Sequence, residues 1–182
     1  MSTRSYIAKQ VGEDKYKGIY CHSDGYLSHN GALLIDIYNT PEKVDEILAL
    51  GSLSYLAPKL YPDPSKPHSF DYDKRQEGVT VAYGRDRGET GIEAKEFDFE
   101  ELLDNSSWCD YVYVFSEDNK WLYFRPWEEG HPLRDVETDL NKEYADFGVE
   151  RLKDYYGFIT DETISKCDPL SPESEITEQT ME

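Results

Sequence analysis

The stretch Tyr111-Val112-Tyr113-Val114-Phe115 is five aromatic or β-branched residues in succession. Side chains of this kind lose rotamer freedom against the preceding turn of a helix but pack well on a pleated surface, so the segment is committed to a strand. Trp121-Leu122-Tyr123-Phe124-Arg125 has the same character, and the polar Ser116-Glu117-Asp118-Asn119-Lys120 between them reads as a hairpin loop, with Pro126 ending the second strand. The hairpin requires a sheet with at least one buried face. Its rings Tyr111, Tyr113, Trp121 and Tyr123 read either as that buried face or as an exposed binding face.

A second hairpin is expected at the N-terminus, where Ser5 to Val11 and Tyr16 to His22 flank Gly12-Glu13-Asp14. The dense apolar run Ala32 to Tyr38 lacks strand alternation and predicts a buried helix, with Ser28 or Asn30 as its cap. Thr40-Pro41-Glu42 supplies an N-cap, a proline at the first helical position and an early acid, and Val44, Ile47 and Leu48 give the apolar spacing of a second helix that stops at Gly51. Prolines and charges from Pro58 to Gly78 predict a long surface loop. A strand over Val79–Tyr83, a glycine-flanked turn over 84–89, a strand near Glu93–Phe99 and a helical turn over Glu100–Leu103 follow. Val136 to Ile159 has loose helical spacing with Gly148 as a weak point. The expectation is one α+β domain over residues 1–160, with a mostly antiparallel sheet of about five or six strands, an early helix pair on one face and a C-terminal helical segment. In residues 161–182, seven acids oppose Lys166 alone, which predicts a disordered acidic tail.

Charge narrows the function. The 182 residues hold 38 Asp and Glu against 19 Lys and Arg, a net charge of −19, together with 15 Tyr. The aromatic content is that of a folded body, and the field repels a phosphate backbone, so free non-specific DNA binding is not expected and the natural partner is a basic surface. The sequence offers no run near the roughly 18 apolar residues of a membrane helix, and no apolar signal core follows Met1. Cys21, Cys109 and Cys167 lie far apart without a Cys-x-x-Cys pair, as free thiols in a reducing cytosol would. The expected compartment is the cytoplasm.

Two polar clusters are candidates for chemistry. In Tyr20-Cys21-His22-Ser23-Asp24-Gly25-Tyr26, followed by His29, a continuing strand would project His22 and Asp24 to one side, to orient a base or to hold a metal. The alternative is an Asp-Gly turn in which Gly25 takes the left-handed conformation. In Tyr83-Gly84-Arg85-Asp86-Arg87-Gly88-Glu89, two arginines either clamp an anionic ligand or pair with local acids and fix the loop. If the chain is an enzyme, His22, Arg85 and Arg87 are its catalytic candidates, of the types an acid–base phosphodiesterase uses. Tyr20, Asp24, Tyr26, His29, Tyr83, Asp86 and Glu89 are the binding candidates. No metal site or cofactor is assigned, although Asp24, Asp86 and Glu89 are of the type that holds Mg²⁺. His68 and His131 carry no expected role.

The ordered set Gly18-Ile19-Tyr20-Cys21-His22-Ser23-Asp24-Gly25-Tyr26, Ser28-His29-Asn30-Gly31, Tyr38-Asn39, Glu42-Lys43-Val44 and Ala82-Tyr83-Gly84-Arg85-Asp86-Arg87-Gly88-Glu89 resembles a widespread family of small acidic proteins from phages and mobile elements of Firmicutes. The resemblance spans about residues 4 to 125, and Ser23 stands where the family usually carries Trp. In size, acidity and phage character the chain also resembles anti-CRISPR proteins that inhibit the RNA-guided DNA nuclease of type II systems. That resemblance implies an inhibitor that binds this effector, with or without its guide RNA, in the bacterial cytoplasm. The alternatives are an effector-dependent ribonuclease that truncates the guide and a phage protein of structural or housekeeping role.

Overall fold

The computed structural model describes residues 2–167. In chain order these form strands β1 (Ser5–Gly12) and β2 (Lys15–Cys21), a π-helical turn (Leu27–Gly31), helices α1 (Ala32–Asp36) and α2 (Pro41–Ala49), β3 (Leu53–Tyr55) and β4 (Val81–Ala82). There follow α3 (Tyr83–Arg87), β5 (Lys95–Phe97), α4 (Phe99–Ser106), β6 (Tyr111–Phe115), β7 (Trp121–Phe124), β8 (Arg134–Asp135), α5 (Val136–Phe147), α6 (Val149–Tyr155) and α7 (Asp161–Cys167). The fold is α+β, as expected. Its sheet has eight strands among the described residues, in the order β4-β3-β2-β1-β6-β7-β8, with β5 also pairing β2. The strands beyond the expected five or six are only two or three residues long, so they carry no period for a sequence pattern to reveal.

Both hairpins form: Tyr6 opposes Tyr20 in the first and Tyr113 opposes Tyr123 in the second. A parallel ladder between β1 and β6 joins them, pairing Ser5 with Tyr111 through Lys9 with Phe115. β1 is therefore central and buried on both faces. Ile7 faces a large core shared with Leu33, Leu34, Ile47, Tyr113 and Leu140, while Tyr6 and Ala8 face a smaller one closed by Phe97, Leu102 and Phe124. The rings Tyr113, Trp121 and Tyr123 are thus core.

Several local expectations need correction. Ser28 and Asn30 cap nothing: the helix begins earlier, at the π-helical turn, and both are buried within it. Asn30 instead donates to Ser5 Oγ (3.1 Å), a tertiary cross-link that local sequence does not announce. The strand after Val79 is cut to Val81–Ala82 because the Asp86 carboxylate accepts the Ala82 N–H (2.8 Å) and turns the chain into α3, which ends at Gly88 with φ +74°. α4 is longer than one turn, since Asp98 and Glu101 form a reciprocal capping box. The Thr40 cap of α2 and the break at Gly148 between α5 and α6 are as expected.

The acidic segment after Thr160 begins as helix, not as a disordered tail. Thr163 is buried and donates to Asp36 Oδ2 (3.3 Å), Lys166 ion-pairs with Asp36, and Ile164 packs on the large core. Only residues 168–182 of that predicted tail lie outside the described residues. A chain ending at Thr160 should therefore be less stable by about 1–3 kcal/mol than one ending at Cys167, from the lost burial of Ile164 and Thr163. Denaturant midpoints of the two chains measure this, and coincident midpoints would contradict it.

Candidate functional site

Strand alternation on β2 sends Cys21 into the large core and leaves Tyr20 on the opposite face, where His22, just past the strand, meets it. Burial pushes the Cys21 thiol up to about 11, so it is inert. The Tyr20 hydroxyl lies 2.6 Å from His22 Nδ1, and its ring packs on Trp108 at 4.5 Å, which in turn carries the Arg4 guanidinium at 5.7 Å. Burial first, then the field of Tyr83, raises the Tyr20 phenol to about 12.

His22 and Asp24 do not form a pair. β2 ends at Cys21, so the alternation that would have aligned them stops, and Asp24 Oδ1 accepts instead from the Tyr26 hydroxyl at 2.8 Å. The expected left-handed Gly25 is not found: Asp24 takes that conformation instead, φ +56°. Gly25 is required for space, because a Cβ there would lie 2.7 Å from Ser5 Cβ. Its N–H donates to Thr3 O (2.8 Å), and its carbonyl accepts from the fully buried Tyr113 hydroxyl (2.6 Å).

His29 lies in the π-helical turn and is 3% exposed. The Asn30 amide nitrogen donates to Ser5, so its oxygen faces His29 Nδ1 at 2.9 Å as an acceptor, and Nδ1 is the protonated nitrogen. Nε2 then accepts from the Tyr55 hydroxyl at 3.1 Å. Burial pushes the imidazole below the ordinary histidine range, against the opposing pull of Asn30 and Asp24, so His29 is neutral near pH 7. Phe158 packs edge-on to it at 4.6 Å. A groove of about 580 Å³ opens over His29, bordered by Asp24, Tyr26, Tyr55, Glu77, Tyr155, Tyr156 and Phe158. A neighbouring lobe of about 610 Å³ shares Asp24, Tyr55 and Glu77 and extends to Tyr72 and Arg75.

The second motif is a structural clasp. Arg85 Nη1 donates to Leu60 O (2.6 Å) and Nη2 to Thr80 O (2.6 Å), while Nε and Nη2 hold the two Asp86 oxygens at 2.9 and 3.0 Å. Burial alone would raise the Asp86 carboxyl, but the Arg85 fork and the Ala82 N–H hold it below the usual carboxylate range. His68, without an expected role, completes the clasp: Nδ1 accepts the Gln76 N–H (3.0 Å), and Nε2 sits 3.4 Å from Asp86 Oδ2, an ion-pair distance without hydrogen-bond alignment. Arg87 stacks over Phe70 at 4.8 Å and pairs with Glu89 at 3.2 Å, and Tyr83 packs on the same Phe70 ring at 5.4 Å.

The two motifs flank β3. The His22 N–H donates to Leu53 O (2.9 Å) from one side and the Tyr83 N–H to Ser52 O (3.2 Å) from the other. Within them Arg85 donates to two backbone carbonyls, and His29 is held between Asn30 and Tyr55. Among the described residues, no three His, Cys, Asp or Glu side chains are grouped to hold a metal, and Asp86 is committed to Arg85. No described helix is long and apolar enough to cross a membrane. Compared with protein-family models, curated proteins and solved structures, the chain matches none.

Sequence reasoning missed Tyr55, Tyr156, Phe158, Trp108 and His68. Each lies in a short element or loop and reaches its place only through contacts distant in sequence. Arg85→Ala, and Arg85→Lys for want of the planar fork, should each lower stability by about 2–3 kcal/mol, whereas Arg87→Ala, with its half-exposed ion pair, should stay within about 1 kcal/mol. Chemical denaturation distinguishes the two arginines. Because the Asp86 pKa is depressed in the fold, its contribution is present above the unfolded carboxylate value and lost as pH falls through the lower folded value. The stability of the native chain should thus fall more steeply below about pH 4 than that of Asp86→Asn.

Proposed function

We propose that this chain acts by binding, not catalysis: its acidic body docks on a basic protein surface that ordinarily handles nucleic acid. The resemblance stated above makes the effector nuclease of type II CRISPR systems the partner, with the chain as its inhibitor. The supporting observation is where the charges sit. Helices on the sheet turn apolar residues inward and carboxylates outward: Glu42, Asp45 and Glu46 on α2, Glu100, Glu101 and Asp104 on α4, and Asp146, Glu150 and Asp154 on α5 and α6 are all exposed. Arg85 is clasped to backbone carbonyls. An RNA-guided nuclease holds its nucleic acid in a positively charged channel, which an acidic surface of this kind complements.

The same commitment of Arg85 weighs against the ribonuclease alternative, which needs free cations beside a histidine. Binding to the effector should weaken at least roughly tenfold between about 50 and 200 mM salt, as screening shortens the reach of surface charge. The guide RNA should run at full length on a denaturing gel after incubation. No complex at low salt would overturn the reading in favour of the housekeeping alternative, and a shortened guide would overturn it in favour of the ribonuclease.

A further inference from the structure

The groove over His29 is walled by tyrosine rings and carries negative charge. Tyr26 and Tyr156 lie with ring centroids 5.2 Å apart and planes inclined by 50°, and Tyr155 and Tyr156 at 5.3 Å and 60°. The rings pack on one another at these distances, and a ring face turned to the groove is a surface on which a cation can rest. Two carboxylates border the same space, Asp24 and the exposed Glu77. Asp24 Oδ1 is held by the Tyr26 hydroxyl, and among the described residues Oδ2 accepts no hydrogen bond. Among the described residues that line this wall, the one titratable nitrogen belongs to His29, buried between Asn30 and Tyr55.

The cavity of about 580 Å³ is within the size range of sites that enclose a small group, roughly 300–1,000 Å³. The molecule already stacks guanidinium groups on aromatic rings elsewhere: Arg75 lies over Phe70 at 5.4 Å and Tyr72 at 5.7 Å, Arg87 over Phe70, and Arg4 over Trp108. Arg75 lines the neighbouring lobe, where its Nε is tied to Phe70 O, and leaves the His29 lobe without a cation.

We infer that the groove formed by Asp24, Tyr26, Tyr55, Glu77, Tyr155 and Tyr156 receives an arginine side chain of a basic partner protein. The flat guanidinium stacks on a groove-facing tyrosine ring and donates to Asp24 Oδ2 and Glu77. An ammonium group gains less here, because it cannot stack and cannot present a planar pair of donors. The inference rests on the reading that the chain works by binding a basic surface, and it names the side chain that enters.

The test measures the affinity of a nona-arginine peptide and a nona-lysine peptide for the full chain by calorimetry at low salt. Arginine peptide should bind at least about fivefold tighter than lysine peptide, reflecting guanidinium stacking. Glu77→Gln with Tyr155→Ala should weaken the arginine peptide by about tenfold, from the loss of one carboxylate and one ring face. Both residues are exposed, so these variants keep the fold, whereas Asp24→Asn also unseats Tyr26 and needs its melting curve beside it. The control Glu100→Gln with Asp104→Asn removes exposed charge from α4 and should cost less than about twofold. Equal losses in groove variants and control, or equal affinity for both peptides, would overturn the inference. If the peptide result holds while the type II effector fails to bind, the groove assignment stands and the nuclease is dismissed as partner. If the effector binds while the groove variants leave the arginine peptide unaffected, the groove assignment alone falls.

Discussion

The parallel ladder between β1 and β6, from Ser5 opposite Tyr111 to Lys9 opposite Phe115, is the contact on which the rest of the molecule is built. Each hairpin alone is a two-stranded ribbon with both faces wet, and such ribbons are marginal in water. Joined, they place β1 at the centre of the sheet with a core on either side. The ladder also sets the candidate site. Tyr113 of β6 reaches across to hold the Gly25 carbonyl, and Ser5 of β1 accepts from Asn30, whose oxygen orients His29. Gly25 can approach Ser5 so closely only because it lacks a Cβ. The position of the groove is thus a consequence of strand pairing across about a hundred residues, a closure whose entropic cost grows only slowly with loop length.

Cations are outnumbered two to one by acids in this chain, and both arginines of the second motif are committed to neighbours in the fold. Arg85 fixes the 58–78 loop to β4 and α3 by satisfying two carbonyls and a carboxylate at once, which a lysine could not do with one point charge. Arg87 and Arg75 lie on Phe70, the ring that also supports Tyr83. The consequence is an outer surface whose charge is set by aspartate and glutamate. Such self-repulsion costs stability.

Where the physics is local, the sequence was readable. The aromatic hairpin declared itself through five strand-forming residues in a row, and α2 through Thr40, Pro41 and a regular apolar stripe. The Gly148 break was visible for the same reason, a residue that prefers φ above zero inside a helical pattern. Propensity favours glycine at positive φ, yet Asp24 takes that conformation, because the packing of Ser5 demands glycine one residue later. Ser28 and Asn30 looked like caps because they are polar ahead of an apolar run, yet a buried serine on β1 supplied Asn30 with a better partner.

The sequence by itself determined the class of the fold, both hairpins, α2, the acidic exterior and the residues of the two polar motifs, since each of these follows from propensity, periodicity or charge within a few positions. Only the tertiary structure decided that β1 and β6 pair in parallel, that Asp161–Cys167 folds onto Asp36, that Arg85 serves the backbone, and that Tyr55, Tyr155 and Tyr156 meet His29 and Asp24 around one groove. Those outcomes depend on which distant groups remain to be satisfied once the sheet has closed. Hydrogen-bond satisfaction and close packing are properties of the assembled chain, not of any window along it.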